Sequence, residues 1–567
     1  MTARLLIAAS ILCSLLSLPL LAQTETQSGD PPDRTARLSY TEGAVSFEPA
    51  GEDNWSQASL NYPLTSGDRL WTDQDARAEL ETGNVAIRMS AETDLTTTSL
   101  ADQLIQLGLA QGTLRVRSFD MQAGHEIEID TPNAALTIVR PGDYRIDTFP
   151  DQNVTVVTVN QGELQITGNG LNQTVSSGQA FKLTGTNPVA FDSVAVAAPD
   201  SFDQWCAGRD QKYLNAKSRQ YVSPYVPGYY DLDPYGSWEV AADYGPIWYP
   251  AGLPGGWCPY RYGRWVWVEP WGWTWLGQEA WGFAPYHYGR WVQIGPRWGW
   301  LPGPIVVAPV YAPAFVAFVG GAGFSVGVGV AAWFPLGPGE PFYPWYHHSD
   351  VYFRQINVTN VRNINMTNIN VTNINNVHYR YQSVAATAVS ANAFRNSEPV
   401  ERNIVKVDPQ QFARAQVIPH PEINPTARAI AAGTAATHPP VSAARPSIVQ
   451  HAVAPGRVPV NETEARTPPP TERPAPQPPA SNEANRVGPP TTRPPLVART
   501  PPPPEKMPYS QKAPAMEEHP GRPLEPQQKQ NLRTGQPAGP MRDQEFPPHA
   551  APMPHSAPPP HGGKPKG

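Results

Sequence analysis

Twelve tryptophans fall within the 63 residues from Trp238 to Trp300, and fifteen of the 17 in the chain lie between Trp205 and Trp345. Chance composition does not concentrate the bulkiest side chain in this way, but a repeat does. Tyr235-Gly236-Ser237-Trp238, Tyr262-Gly263-Arg264-Trp265 and Tyr288-Gly289-Arg290-Trp291 recur at spacings of 27 and 26 residues. Each is followed by a second aromatic-glycine step, namely Tyr244-Gly245-Pro246-Ile247-Trp248, Trp271-Gly272-Trp273 and Trp298-Gly299-Trp300. A unit of this length cannot bury a face by itself, so the pattern predicts three β-hairpins that stack on one another or pack on a neighbour.

Strand alternation in copies two and three places Val266 and Val268, or Val292 and Ile294, on one face, and Trp265 and Trp267, or Trp291 and Gln293, on the other. Two arrangements follow. If the aliphatic face is the core, the indoles are open, with Arg264 and Arg290 at the start of each strand. Such rings are flat apolar platforms with a polar edge, suited to sugar faces or to aromatic and proline-rich partners. The candidate ligand-binding set is then Tyr262, Arg264, Trp265, Trp267, Tyr288, Arg290 and Trp291. In the other arrangement the indoles fill the core, and copy one, where Trp238 and Val240 share a face, favours it.

Residues 37–195 show short alternating runs broken by turn residues, the pattern of an all-β domain. Val154-Thr155-Val156-Val157-Thr158-Val159 is one such run, and one short helix is expected around Ser99 to Leu109. Leu64-Thr65-Ser66-Gly67-Asp68-Arg69-Leu70-Trp71-Thr72, Ala78-Glu79-Leu80-Glu81, Gly112-Thr113-Leu114, Thr131-Pro132-Asn133-Ala134 and Ser177-Gly178-Gln179 together resemble a FecR-type domain. The namesakes of that family are periplasmic sensor regions of iron-siderophore regulators, so the resemblance implies an exported β module that contacts a protein partner. No cytoplasmic segment for holding a sigma factor is seen, and no separate membrane helix. The stretch from about Phe202 to about Phe412 in turn resembles the tryptophan-rich domain of unknown function that follows FecR-type domains in envelope proteins of some soil bacteria.

The rest of the chain divides by composition. Residues 304–336 are almost free of charge, but Pro309 and Pro313 interrupt them, Phe324 to Val330 alternates with period two, and Gly320-Gly321-Ala322-Gly323 sits between two apolar runs. That reads as a buried hairpin rather than a membrane helix, and the tryptophan-rich domain is taken as 202–350. Residues 351–384 hold Asn-rich repeats such as Ile356-Asn357-Val358-Thr359-Asn360, either a short strand stack or an irregular linker. Residues 385–450 are expected as a partly ordered linker. Residues 451–567 carry 32 prolines in 117 positions and are expected as a disordered tail, because they lack the apolar area to offset ordering entropy. The fold class expected is all-β: a FecR-like domain, a hairpin-repeat domain, then the tail.

The N-terminus supplies a compartment. Arg4, the apolar run from Leu5 to Leu21 and Ala22 before Gln23 form a secretory signal pattern over residues 1–22, with an uncleaved anchor helix as the other reading. The mature chain is expected in the periplasm, the cell envelope or outside the cell, without a transmembrane helix. Cys206 and Cys258 then remain, as a disulfide or as two buried thiols.

Residues 1–400 hold 23 basic and 36 acidic side chains, a balance of −13, and residues 401–567 hold 19 and 13, a balance of +6. An acidic body argues against nucleic acid as a partner. Neither a nucleophile motif, a His-Glu-x-x-His, a Cys-x-x-Cys nor a phosphate loop is present. His347-His348, His287 and the Asp231, Asp233, Asp243 group hold ligand or base side chains but match no metal or catalytic spacing, and read as ordinary surface or packing residues. No catalytic residue, metal or cofactor is expected. The function expected is a non-catalytic envelope protein that binds or scaffolds, with polysaccharide or peptidoglycan on its aromatic surface; the alternative is a FecR-like sensor or regulator acting through a protein partner.

Overall fold

The computed structural model describes residues 29–305, 308–320, 329–360, 377–440 and 505–539. The signal segment 1–22 lies outside them. Strands dominate, as an all-β chain requires, and among the described residues no helix is long and apolar enough to cross a membrane.

Seventeen strands, from Ala36–Glu42 to Ala190–Val194, join in one hydrogen-bonded network. Val154–Gln161 pairs antiparallel with both Gly142–Phe149 and Gln179–Thr184, and its alternation sends Val157 and Val159 into the core. The helix expected around Ser99 to Leu109 is absent. Strand Thr93–Ala101 turns at Asp102-Gln103 into strand Leu104–Ser118, whose first half pairs in parallel with Glu126–Asp130 and whose second half pairs with Val85–Met89 and Gly142–Phe149. Leu100, Ile105, Leu107 and Leu109 are all buried in that sheet. Their close spacing suits a helix, but neighbouring and distant strands satisfy the backbone here.

The three aromatic repeats are three antiparallel hairpins: Gly236–Ala241 with Gly245–Pro250, Gly263–Val268 with Gly272–Gly277, and Arg290–Ile294 with Arg297–Leu301. The first and third share one four-stranded sheet through Trp248 opposite Trp300, and the second stands as its own two-stranded ribbon. The glycine that opens each copy has one physical cause. A Cβ on Gly236 would stand 2.5 Å from Trp248, on Gly263 2.7 Å from Trp275 and on Gly289 2.7 Å from Trp300. In each hairpin the indole of the return strand lies across the bare backbone, which only glycine permits.

A further four-stranded sheet runs in the order Thr387–Ser390, Val330–Pro335, Val316–Gly320, Gln416–Ile418. Its central pair is the charge-poor hairpin expected from the sequence, although residues 321–328 lie outside the described set. Its outer strands come from 385–450, so that stretch contributes to the core. The Asn-rich segment begins differently from either expectation. Ile356, Asn357 and Val358 end a helix, Asp350–Val358, with Asn357 and Asn360 buried as hydrogen-bonding ties; residues 361–376 fall outside the described set.

Buried charge joins the two modules. Helix Ser201–Asn215, started by an Asp200 capping box, brings Arg209 onto Glu79 of the first module. Glu79 also receives Arg88 Nε at 2.6 Å, and Arg88 reaches Asp210 at 2.6 Å. Burial alone would raise the Glu79 carboxyl; the Arg88 and Arg209 guanidiniums outweigh it and bring it down to about 2. Nearby, Arg37 stands 2.8 Å from Glu81 and 2.6 Å from Asp231, and donates to the Ala280 carbonyl at 3.0 Å. Part of the stretch expected as a disordered tail is ordered on this body: residues 505–539 carry helices Tyr509–Glu517 and Pro526–Arg533, while 451–504 and 540–567 lie outside the described set.

Candidate functional site

The indoles chosen from the sequence as an outward platform are inside the molecule. Trp265 is 1% exposed, Trp267 3% and Trp291 0%. Trp265 packs against Trp275, Phe318, Trp333, Trp345 and Phe394, with ring centroids 5.3 to 6.4 Å apart. Phe318 and Trp333 belong to the additional sheet and Phe394 to the short helix after Ser390, so the chain beyond the repeats covers the face that the hairpins alone would leave open. Of the two arrangements, the structure has the one in which tryptophan fills the core.

The accompanying residues serve the same interior. Tyr288 is buried, and Tyr262 is half-buried against the core. Arg290 is 1% exposed, lies over the Phe315 ring at 4.1 Å, and donates to Asn357 Oδ1 at 3.0 Å and to the Gly289 carbonyl at 2.9 Å. Burial brings its guanidinium down to about 9. Arg264 ties the modules, donating to Ser59 Oγ at 2.8 Å and to the Ala432 carbonyl at 2.6 Å. These seven residues therefore do not form one open site.

Cys206 and Cys258 are free and buried. Cys206 lies on the helix packed against the first module, beside Arg88 and Arg115. Cys258 faces the carbonyls of Pro259 and Ala385, each at 3.4 Å. The two thiols thus have different neighbours, and no bond joins them. Burial pushes them up to about 12 and about 11.

His287, Asp231, Asp233 and His348 have structural partners, and Asp243 is exposed. His287 is buried, donates Nδ1–H to the Ala312 carbonyl at 2.8 Å, and is pushed down to about 3 by burial, so its ring is neutral. Asp231 meets Arg37, and Asp233 accepts the Ser218 amide at 3.0 Å. His348 bonds the Tyr346 carbonyl. Among the described residues no group of three His, Cys, Asp or Glu side chains is placed to hold a metal ion.

A different surface of the repeat module is concave. A groove of about 500 Å³ opens between the ends of the first and third hairpins and the loop before the second. Tyr249, Trp257 and Trp298 wall it, 6%, 6% and 7% exposed, so only a small part of each side chain reaches solvent. Trp257 Nε1 donates to Glu279 at 3.2 Å, and Trp298 packs on Tyr381 at 4.8 Å, which fixes both rings. Arg261 and Arg297 add two guanidiniums. Arg297 lies over the Tyr249 ring at 4.1 Å and pairs with exposed Glu239 at 2.7 Å. Arg261 donates to the Gly256 carbonyl at 3.0 Å and reaches Thr387 Oγ1 at 3.3 Å. The sequence reading placed none of these five residues in a site; the glycine-rich loop Gly255-Gly256 beside Trp257 and Arg261 was the available signal.

Residues 229–340 match a family described only as a family of unknown function, DUF6600, which covers the three hairpins and the start of the additional sheet. No curated protein matches this chain. Among solved structures, a candidate anti-sigma factor from Parabacteroides distasonis, determined twice, aligns at 11% and 10% identity with a TM-score of 0.20 in each case. The alignment covers 22% of this chain and spans 60% of that one.

Proposed function

We propose that this chain is a non-catalytic, exported protein of the cell envelope that holds an anionic polysaccharide in the Tyr249–Trp298 groove. The groove is the observation that carries the reading. Its volume lies in the range of ligand sites, roughly 300–1,000 Å³. Aromatic walls with a polar rim suit sugar rings, and Arg297, whose fork is held by exposed Glu239, can exchange that partner for a carboxylate along a chain, with Arg261 beside it. A scaffolding role fits the buried ionic seam, which fixes the FecR-like module against the repeat module. The signal pattern at residues 1–22 supports export.

The test is a titration of the purified protein with carboxylate-bearing polysaccharide fragments, neutral glucans and peptidoglycan fragments, followed by tryptophan fluorescence. A saturable, salt-sensitive change with the acidic fragments is expected, weakened by Arg261→Gln and by Arg297→Gln. Flat titrations across all three classes, or equal responses from the two variants and the parent, overturn it.

A further inference from the structure

Residues 505–539 return to the folded body after 64 residues that separate them from residue 440. They lie across the seam between the first module and the second hairpin. Lys512 Nζ stands 2.6 Å from Glu269 Oε1 and Lys529 Nζ 3.1 Å from Oε2. Lys506 Nζ donates to Thr65 Oγ1 at 2.6 Å, and the Tyr509 amide donates to Glu52 Oε1 at 2.7 Å. Asn424 grips both chain directions, donating to the Met516 carbonyl at 3.0 Å and accepting the Gly521 amide at 3.0 Å. Met516 and Leu524 are buried, 1% and 4% exposed. Gly521 has φ +82°, and a Cβ there would overlap the Pro421 carbonyl, so the segment passes with its backbone against the body.

These contacts have the form of a bound peptide. The two helices have nine and eight residues, with Pro514 inside the first, too short to hold their shape apart from the surface they touch. No strand of the segment joins a sheet of the body. Glu269 defines what the surface requires. Burial alone raises its carboxyl, and Lys529, Lys512 and Lys506 together overcome that and hold it below the usual carboxylate range. All three cations come from the segment, so its departure removes every one of these counter-charges from Glu269 at once.

We propose that the seam around Glu269 is a binding groove for a lysine-bearing, proline-punctuated peptide, and that residues 505–539 occupy it as a tethered ligand that the same segment of a second copy can replace. Closing a loop of this length gives an effective concentration no higher than the millimolar range. Free peptide at comparable concentration therefore competes.

To test this, a specific protease site is placed within 441–504 of the full-length protein, the chain is cleaved, and the fragment is followed by size-exclusion chromatography. Labelled synthetic peptide 505–539 is then added. The fragment is expected to co-elute with the body and to exchange with labelled peptide. A peptide carrying Lys512→Gln and Lys529→Gln should bind at least about tenfold more weakly, since both ion pairs to Glu269 are lost. Prompt separation with no rebinding overturns the proposal, as does equal binding of the two peptides. If the cleaved protein precipitates, fluorophores on exposed Asp53 and Glu518 of the intact chain answer the same question. Excess unlabelled peptide must separate them, and unchanged transfer at millimolar peptide overturns the proposal.

Discussion

Arg209 and Glu79 meet with both side chains buried, one on the helix Ser201–Asn215 and the other on a strand of the first module, 130 residues apart in sequence. Replacing Glu79 with alanine leaves Arg88 and Arg209 enclosed without their shared carboxylate. Breaking such a group typically costs about 3–5 kcal/mol. Urea unfolding of E79A should show that loss as a lower midpoint. A midpoint within error of the parent means that the seam is hydrated in solution.

Glu279 gives a pH dependence of defined sign. Its Oε1 accepts from Trp257 Nε1 at 3.2 Å and from the Tyr286 hydroxyl at 3.0 Å, and burial raises the carboxyl to about 7. Between about pH 4.5, where the unfolded group ionises, and pH 7, the folded chain binds more protons, so this group lowers stability as pH rises. The stability of E279Q relative to the parent should therefore climb across that window and level off above it. A constant difference from pH 4.5 to 8 contradicts the assignment.

Trp265 and Trp291 should behave as core residues. Truncating either to alanine removes a ring from the interior and should lower stability by about 3–5 kcal/mol. Acrylamide should quench the folded protein's tryptophan emission weakly and the urea-unfolded protein's strongly. Strong quenching of the folded state, or variants with unchanged midpoints, would return these rings to the surface.

Cys206 and Cys258 should resist alkylation in the native protein. Both should label fully after denaturation without reductant, with the two modified peptides identified by mass. Labelling that appears only once reductant is added would show a disulfide.

The repeat spacing made the three hairpins legible, because aromatic and glycine steps at 26 and 27 residues mark both strands and turn. Alternation from Val154 to Val159 likewise exposed the first module as strands. What stayed hidden depended on distant chain. Leu104 to Gly108 is extended because Glu126–Asp130 pairs beside it, and nothing within the segment announces that partner. The covering of Trp265 by Phe318, Trp333 and Phe394 has the same origin. The docked stretch around Met516 and Leu524 was masked by its prolines, whose density signals disorder when no receiving surface is known. The Arg261 groove forms at hairpin ends, where strand alternation, which reports only on strand faces, carries no signal.

Copies one and three share a sheet while copy two forms a ribbon of its own, so similarity in sequence does not make the three units interchangeable in space. An array whose members all met their neighbours alike could lengthen by duplication. Here the first and third hairpins meet through Trp248 and Trp300 while the second pairs with neither, so duplication of a unit supplies no repeated contact for the new copy to extend.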